Sequence, residues 1–434
     1  MSLISTAASG LSATQVVLNA ISNNVANSST DGYSRRTVTL TSVASGGVTA
    51  SSVNRETSFY LQQQNWNSNA DVGYYTDYSE YASYLEELMS SDSLNITTNL
   101  STFYSALEAA SASPDDDSLR TAVLTDAESL ATSFNSLSGY LDEISDEVDS
   151  EVSSSMDTVN NLTSQIADLN AQITSLQSTG QDTSSLEDTR DAAITSLSSL
   201  VEIDVTQQDD GSYTITLPQG QTLVSGSSAG SMAWDSTNGL TVTYGSQTTS
   251  VSEEMSGSLG GLFAFVNDVL TPTQTALDDL ASSVATALND AQADGYDLDG
   301  NSGTDLFTWD SSDPAGSLAV VDSFTSDDLA FSGSATAGSG DNTNLLAMLD
   351  LASDQESTYT ALVTKLGQLS SNASDSLTST TALQSTLQDS LDSISGVNLD
   401  EEAADLVSYQ NLYSANSKVL TVADELFDTL LNMF

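Results

Sequence analysis

Carboxylates and hydroxyls are the side chains that could carry chemistry in this chain, and their pattern argues against catalysis. The 434 residues include 60 Asp and Glu but neither His nor Cys. These two residue types supply the commonest general base and a readily activated nucleophile in enzymes. A hydrolase built on two carboxylates stays open as an alternative, but no spacing in the sequence singles out a pair. The sequence therefore predicts a protein that is not an enzyme.

One acidic stretch has the composition of a calcium-binding loop. Its oxygen-bearing residues are Asp297, Asp299, Asn301 and Asp305. An EF-hand loop requires Gly at its sixth position and Glu at its twelfth. This stretch has Gly300 at the fourth position and Thr308 at the twelfth. We therefore predict an Asx-rich turn, with no metal and no cofactor.

Apolar residues recur every seven positions at both ends of the chain. The N-terminal row, with its intervening positions, is Ile4, Ala7, Leu11, Leu18, Ile21 and Val25. The C-terminal row is Leu399, Leu406, Tyr409, Tyr413, Leu420, Ala423, Phe427, Leu430 and Phe434. A lone helix of this length is marginal in water, so each seam needs a partner. We predict that the two terminal helices pair with each other. The alternative is ordinary core packing against other helices.

An Asn-rich turn follows the first seam and carries an ordered motif. Its residues, together with those of the preceding helix, are Ser9, Gly10, Leu11, Ala13, Asn23, Asn24, Ala26, Asn27, Thr30, Gly32 and Tyr33. They resemble the N-terminal motif SGLxA…NNxAN…TxGY of the bacterial flagellar rod, hook and hook-associated proteins. That family more often has Pro where this chain has Asp31. The turn is expected to be intact, because Gly32 can adopt a positive φ.

Between the two ends, the apolar periodicity predicts long helices interrupted by a β-rich segment. The longest helical tract runs from Ser118 to Gln177, with apolar residues three and four positions apart. Alternation of apolar and polar residues after Ile203 predicts strands instead. A further helix is predicted at 259–293, where Pro272 is expected to bend or split it.

These patterns predict a mainly α fold with an inserted β domain. The helices would form a long antiparallel bundle or coiled-coil rod, with the N- and C-terminal helices paired and a β-rich domain outermost. We expect paired terminal helices in 1–36 and 397–434 and a helical rod in 37–200 and 341–396. The β-rich outer domain would be 201–340, with the helix 259–293 embedded in it.

The charge balance limits the partners and the medium. The net charge is −53, with only seven basic residues. Self-repulsion at this charge is relieved when the Debye length shrinks to ~3 Å near 1 M salt, so we predict a halophile-like, high-salt habitat. Nucleic acid and anionic membranes are excluded as general partners. No run of ~18 apolar residues predicts a membrane span. No secretory signal precedes Arg35, so we expect export that leaves the N-terminus in place.

Several internal stretches are similar to the hook-associated protein 1 branch of the flagellar family. They are IAxLNxxI…DxRD at 165–173 and 188–191, DG…GxxLVxG at 210–226, GxLGG…GYDLDG…LF at 257–307 and SGVNLDEE at 395–402. With the N-terminal motif, these matches span the chain in the expected order. The chain is short for that branch, which implies a reduced outer lobe.

The resemblance implies a structural subunit of the extracellular flagellum, at the junction between hook and filament. It implies self-association in a ring or helical layer and contacts with the hook protein and the second hook-associated protein. It also implies type III export and a cytoplasmic export chaperone on the C-terminal helix. Two alternatives stay open. One is another axial protein, against which the stretches at 295–300 and 395–402 argue. The other is a secreted coiled-coil adhesin or surface-structure protein with an acidic β head, which would be expected to carry a signal or an anchor.

Overall fold

The computed structural model describes residues 3–44, 46–91, 94–235 and 237–433, and most of them are helical. The α-helices, in chain order, are α1 (Leu3–Ala26), α2 (Phe59–Ser90), α3 (Ile96–Ser111), α4 (Asp117–Ser178), α5 (Ser184–Leu200), α6 (Ser258–Phe265), α7 (Thr271–Ala293), α8 (Pro314–Ser317), α9 (Thr343–Leu349), α10 (Ala352–Ser395) and α11 (Leu399–Leu431). The predicted mainly α class is confirmed.

The strands form small antiparallel sheets. They are β1 (Arg36–Ser42), β2 (Val48–Arg55), β3 (Asp204–Gln207), β4 (Tyr213–Thr216), β5 (Thr222–Ser225), β6 (Ser228–Ala229), β7 (Ser231–Asp235), β8 (Gly239–Tyr244), β9 (Gln247–Ser250), β10 (Phe307–Thr308) and β11 (Ala319–Val320). Strands β1 and β2 form a hairpin in which Val38 lies opposite Val53. Strands β3 to β6 form one sheet in that order, and β7 to β9 form another. The inserted β segment between α5 and α6 is therefore confirmed.

The chain divides into two compact units. The first unit comprises Met1–Tyr74, Ser154–Leu259 and Ser379–Phe434, and the second comprises Tyr75–Ser153 and Gly260–Thr378. Both terminal helices and the strands β3 to β9 belong to the first unit, so the predicted outer segment 201–340 is split between the two units. The division into terminal helices, rod and outer domain stays a prediction.

Helix α4 corresponds to the longest predicted helical tract and is continuous. Its predicted apolar row is buried at Leu130, Phe134, Leu137, Leu141, Ile144 and Val148. Val152 and Met156 extend this row. The helix is followed by Gly180 at a φ of 70°, a conformation that glycine adopts without strain.

A π-helical turn joins α6 to α7 immediately before Pro272. The turn is Val266–Leu270, and Pro272 lies at the first turn of α7. Proline has no N–H to donate and its ring displaces the carbonyl of the preceding turn, so the α-helical hydrogen-bond register is interrupted here. The helical backbone runs through this turn without a break, so Pro272 changes the hydrogen-bond register but does not split the helix.

Two asparagines of α4 extend the sheets with their side-chain amides. Asn160 Nδ2 donates to Met232 O (2.9 Å), and its Oδ1 accepts from Met232 N (2.7 Å). Asn170 makes the same pair of bonds with Tyr213, at 2.9 and 3.1 Å. Because an amide offers a donor and an acceptor like a peptide group, the helix takes the place of a neighbouring strand. This contact explains why the sheets belong to the same unit as the second part of α4.

We expect Asn170→Leu to lower the free energy of unfolding of the first unit by about 3 kcal/mol, because it leaves buried polar partners unpaired. Besides Tyr213, these partners are Gly226 O (3.0 Å) and Arg190 Nη1 (3.1 Å). Urea unfolding followed by circular dichroism measures the change. Asn161→Leu, at the adjacent exposed position, is the matched control and should alter stability by less than about 0.5 kcal/mol. Equal effects of the two variants would contradict the role of Asn170.

Candidate assembly interface

Helix α1 packs against α11 in antiparallel orientation. Gly10 lies beside Asn416, and Asn24 at the other end of α1 binds Glu402 in the first turn of α11. A Cβ at position 10 would lie 2.9 Å from Asn416 Nδ2, so glycine in the SGL motif permits the close approach of the two helices. The two ends of the chain are thereby brought together.

The buried face of α1 is made of small and polar residues as well as apolar ones. It consists of Ala7, Gly10, Ala13, Thr14, Val17, Ala20, Ile21 and Asn24. Of the predicted row, Ala7 and Ile21 lie in this face. The predicted Ile4, Leu11 and Leu18 are half-buried, and Val25 is 43% exposed. Gly10, Thr14 and Asn24 did not appear in the apolar pattern, because they occupy buried positions without being hydrophobic.

The inward row of α11 alternates in steps of four and three residues. Its buried and half-buried members are Glu402, Leu406, Tyr409, Tyr413, Asn416, Leu420 and Ala423. The predicted Leu399, Phe427 and Leu430 are 51%, 57% and 56% exposed, respectively. Helix α11 has 33 residues and α1 has 24, so the end of α11 extends beyond its partner and Phe427 and Leu430 are left uncovered. The predicted seam residue Phe434 lies outside the described residues.

The side chain of Asn24 connects three segments of the first unit. Its Nδ2 donates to Arg36 O (3.0 Å) and to Glu402 Oε1 (2.9 Å). Its Oδ1 accepts from the Tyr33 hydroxyl (2.8 Å) and from Arg36 N (2.9 Å). Asn24 is 1% exposed, and all four hydrogen-bonding positions of its amide are satisfied. It therefore fixes the end of α1, the start of β1 and the start of α11 relative to one another.

The remaining motif residues shape the turn after α1. Helix α1 ends at Ala26. Asn27 donates to Asn23 O from its backbone N (3.0 Å) and its Nδ2 (2.9 Å). The hydroxyl of Thr30 donates to Asn27 Oδ1 (3.3 Å). Gly32 has a φ of 75°, as predicted for this turn. These contacts direct the chain from α1 into β1.

The SGVNLDEE stretch forms the entry to α11 beside this turn. Arg35 N donates to Ser395 O (2.8 Å). Asn398 caps the helix by accepting from Asp400 N (3.0 Å). The three acids of the first turn, Asp400, Glu401 and Glu402, are favoured by the positive end of the helix dipole.

A buried ionic cluster attaches the β1–β2 hairpin to α5. Arg55 Nε lies 2.7 Å from Asp188 Oδ1. Its Nη2 lies 2.7 Å from Asp191 Oδ2, and its Nη1 lies 3.4 Å from Glu187 Oε2. Arg36 Nη2 lies 3.4 Å from Asp188 Oδ2. Burial disfavours the charged form of Arg55, but the adjacent carboxylates outweigh this effect and raise its pKa. The two acids of the DxRD stretch therefore hold the hairpin.

The arginine of the same stretch binds the β sheet. Arg190 is 2% exposed, and its guanidinium carbon lies 3.5 Å from the centroid of the Tyr213 ring. Its Nη1 donates to Gly211 O (2.7 Å) and to Asn170 Oδ1 (3.1 Å). The sequence patterns predicted no contact for Arg36 or Arg55, and Arg190 was noted only as part of the DxRD motif. The scarcity of basic residues could have identified these arginines, because the few cations of a strongly acidic chain are candidates for specific ion pairs.

We expect Glu402→Gln to stabilise the first unit at pH 7. Burial raises the pKa of Glu402 above its usual 4.5, although the hydrogen bond from Asn24 and the charge of Arg35 lower it. The folded state thus binds this proton more tightly than the unfolded state, and stability is lost as pH rises through the raised pKa. Glutamine keeps the acceptor without the charge.

Thermal unfolding of the variant and the wild type between pH 4 and 7 tests this expectation. The advantage of Glu402→Gln should shrink as pH falls toward 4.5. Glu401→Gln removes an exposed charge at the adjacent position and is the control. A Glu402 variant that is less stable than the wild type at pH 7 would contradict the assignment.

The acidic loop at Asp297 is an Asx turn, as predicted. Asp297 Oδ1 accepts from the backbone N of Asp299 (2.9 Å) and of Asn301 (2.8 Å), and its Oδ2 accepts from Asn301 Nδ2 (3.0 Å). Within the described ranges, no group of three or more His, Cys, Asp or Glu side chains could hold a metal ion.

Three models of flagellar protein families match the chain. The model "Flagellar hook-associated protein FlgK helical domain" matches residues 82–307. "Flagella basal body rod protein" matches residues 4–33, and "Flagellar basal body rod FlgEFG protein C-terminal" matches residues 388–433. The last two matches contain the paired helices α1 and α11.

Relatives named flagellar hook-associated protein 1 align with the whole chain. Flagellar hook-associated protein 1 of Salmonella typhimurium is 30% identical over a 552-residue alignment that covers 100% of both chains. The Escherichia coli protein of that name is 28% identical with the same coverage. The chain belongs to the flagellar hook-associated protein 1 (FlgK) family.

A solved FlgK structure has a related fold. The flagellar hook junction protein FlgK from Burkholderia pseudomallei superposes with a TM-score of 0.51 and 29% identity. The superposition covers 58% of this chain and 47% of that one. FlgK proteins are structural components of the flagellum, so the prediction that this chain is not an enzyme is confirmed.

Proposed function

We propose that this chain is a structural subunit of the bacterial flagellum that forms the junction between hook and filament. The observation that carries the proposal is the antiparallel pairing of α1 with α11, secured by Asn24 and Glu402, in two segments that match rod-protein models. Because the contact joins both ends of the chain, it forms one element for assembly. Similarity to hook-associated protein 1 along the full chain favours this function over an adhesin with an acidic β head.

The subunit associates with the hook and other flagellar components, and its copies self-associate in a ring or helical layer. Support comes from the predicted seam residues that the α1–α11 contact leaves exposed, namely Val25, Leu399, Phe427 and Leu430. Exposed apolar surface of this kind marks interaction sites. In the assembled layer, 1–36 and 397–434 would form the inner part, 37–200 and 341–396 the helical rod, and 201–340 the outer part.

The hook protein and the second hook-associated protein are the proposed neighbours, and the flagellar type III apparatus is the proposed export route. Before assembly, the apolar surface of α11 would favour aggregation, which supports a cytoplasmic export chaperone on this helix. The charge of −53 disfavours nucleic acid as a partner. No helix of the described residues is long and apolar enough to span a membrane.

Deletion of the gene tests the proposal. Electron micrographs of the deletion strain should contain hooks without filaments, and flagellin should accumulate in the culture medium. Complementation with the wild-type gene should restore filaments. Normal filaments in the deletion strain would overturn the proposal, and normal filaments with lost surface attachment would favour the adhesin.

A further inference from the structure

The N-terminal part of this acidic chain is almost free of charge. Residues 1–30 contain no charged side chain, and residues 1–54 contain only Asp31, Arg35 and Arg36, although the whole chain has a net charge of −53. Helix α1 and the body of the β1–β2 hairpin therefore present a neutral surface. Another copy of the same chain can approach this surface without the repulsion that acidic faces would exert on each other.

This neutral surface contains a groove between α1 and the hairpin. The groove has a volume of about 430 Å³, and residues that line it include Ser9, Ser12, Val16, Val43 and Val48. The hairpin is held beside α1 by a hydrogen bond from Val48 N to Ser9 Oγ (3.2 Å). The groove walls are small or apolar, so the groove suits apolar side chains rather than ions.

Helix α11 has a second apolar row, outside the seam predicted from the sequence. Leu412, Val419 and Leu426 recur every seven residues and are 49%, 44% and 54% exposed, respectively. Met433 continues this spacing in the turn just after the helix and is 75% exposed. This row is distinct from the row that contacts α1. Asp424, Glu425 and Asp428 lie among its residues, so a partner surface must be apolar in its centre and free of further acids.

We propose that this outer row (Leu412, Val419 and Leu426 of α11, with Met433 just after it) docks into the groove between α1 and the hairpin of a second copy of the chain. The inference rests on the proposed function, since it specifies how the subunits self-associate. The two surfaces differ from each other, so the contact is heterologous and propagates into a ring or a helical array. The neutral N-terminal segment is what allows so acidic a chain to assemble.

Disulfide crosslinking tests the contact directly, because the chain contains no cysteine. Ser12→Cys in one tagged copy and Leu426→Cys in a differently tagged copy should form a mixed disulfide when the two are assembled together. Thr121→Cys, at an exposed position of α4, replaces Ser12→Cys in the control and should not crosslink. Equal crosslinking of both pairs, or Leu426 homodimers alone, would overturn the proposal.

Charge variants on the exposed side of α1 provide an independent test. Gln15 and Asn19 are exposed, and Gln15 Nε2 donates a hydrogen bond to Asn19 Oδ1 (3.1 Å). Gln15→Glu with Asn19→Asp keeps their shapes and should weaken self-association at least about tenfold in low salt, through repulsion from the acids of α11. High salt should restore the association. Gln15→Lys with Asn19→Lys should not weaken it.

The outcomes separate this contact from the proposed function itself. If the wild-type protein does not self-associate and deletion of its gene leaves the filaments intact, the proposed function is overturned. A wild-type protein that assembles while acidic and basic variants behave alike overturns only the docking of α11 on α1. Crosslinking of Leu426→Cys to a different flagellar protein, and not to this chain, also overturns the docking.

Discussion

Leu420→Asp is expected to abolish filament assembly while most of the helix content of the protein is retained. Leu420 lies half-buried in the row of α11 that faces α1. A carboxylate there would lose water, and the first 30 residues contain no basic side chain that could pair with it. The loss should weaken the α1–α11 contact by about 3 kcal/mol. The second unit does not include either terminal helix and should stay folded.

Motility and electron microscopy of a strain that expresses only the variant measure this effect, and circular dichroism measures the retained helix content. Thr421→Asp adds the same charge at the adjacent exposed position and is the control, so its filaments should be normal. Normal filaments with Leu420→Asp would contradict the role of the α1–α11 contact in assembly.

Arg55→Met is expected to destabilise the first unit by about 3–5 kcal/mol, because removal of one partner leaves buried charges uncompensated. Three carboxylates, those of Glu187, Asp188 and Asp191, would lose their shared cation. Arg36 lies 3.4 Å from Asp188 and would compensate only one of them. The hairpin would then lose its main attachment to α5.

Chemical denaturation of the variant gives the free energy of unfolding. Lys418→Met removes an exposed cation of α11 and should change stability by less than about 0.5 kcal/mol. A second variant, Arg55→Met with Asp191→Asn, should recover part of the loss because one of the orphaned charges is removed. A loss below about 1 kcal/mol for Arg55→Met would mean that the cluster is not required for stability.

Periodicity predicted α4 and the inward row of α11 because large apolar residues occupy those positions. Leu406, Tyr413 and Leu420 were found this way, and they face α1. On α1 the same reasoning identified Ala7 and Ile21 but not the small Gly10 or the hydrogen-bonded Asn24, on which the contact also depends. Size and amide chemistry leave no trace in a hydrophobic pattern.

The grouping of the sheets with the terminal helices could not be derived from the order of elements. That grouping depends on Asn160 and Asn170, two polar residues of α4 that a helical pattern assigns to the surface. Likewise, Asp188 and Asp191 are two acids among 60, and only the fold brings them to Arg55. Motif resemblance identified these stretches, whereas their physical role required the structure.

A cryo-EM map of the hook–filament junction, resolved to side-chain level, would show directly whether the two terminal helices of one subunit pair in the assembled flagellum. We expect α1 and α11 of each subunit to lie antiparallel at the inner wall, with Asn24 beside Glu402 and Gly10 beside Asn416. Helices α1 and α11 of one subunit separated into different layers, or a junction without this chain, would contradict this expectation.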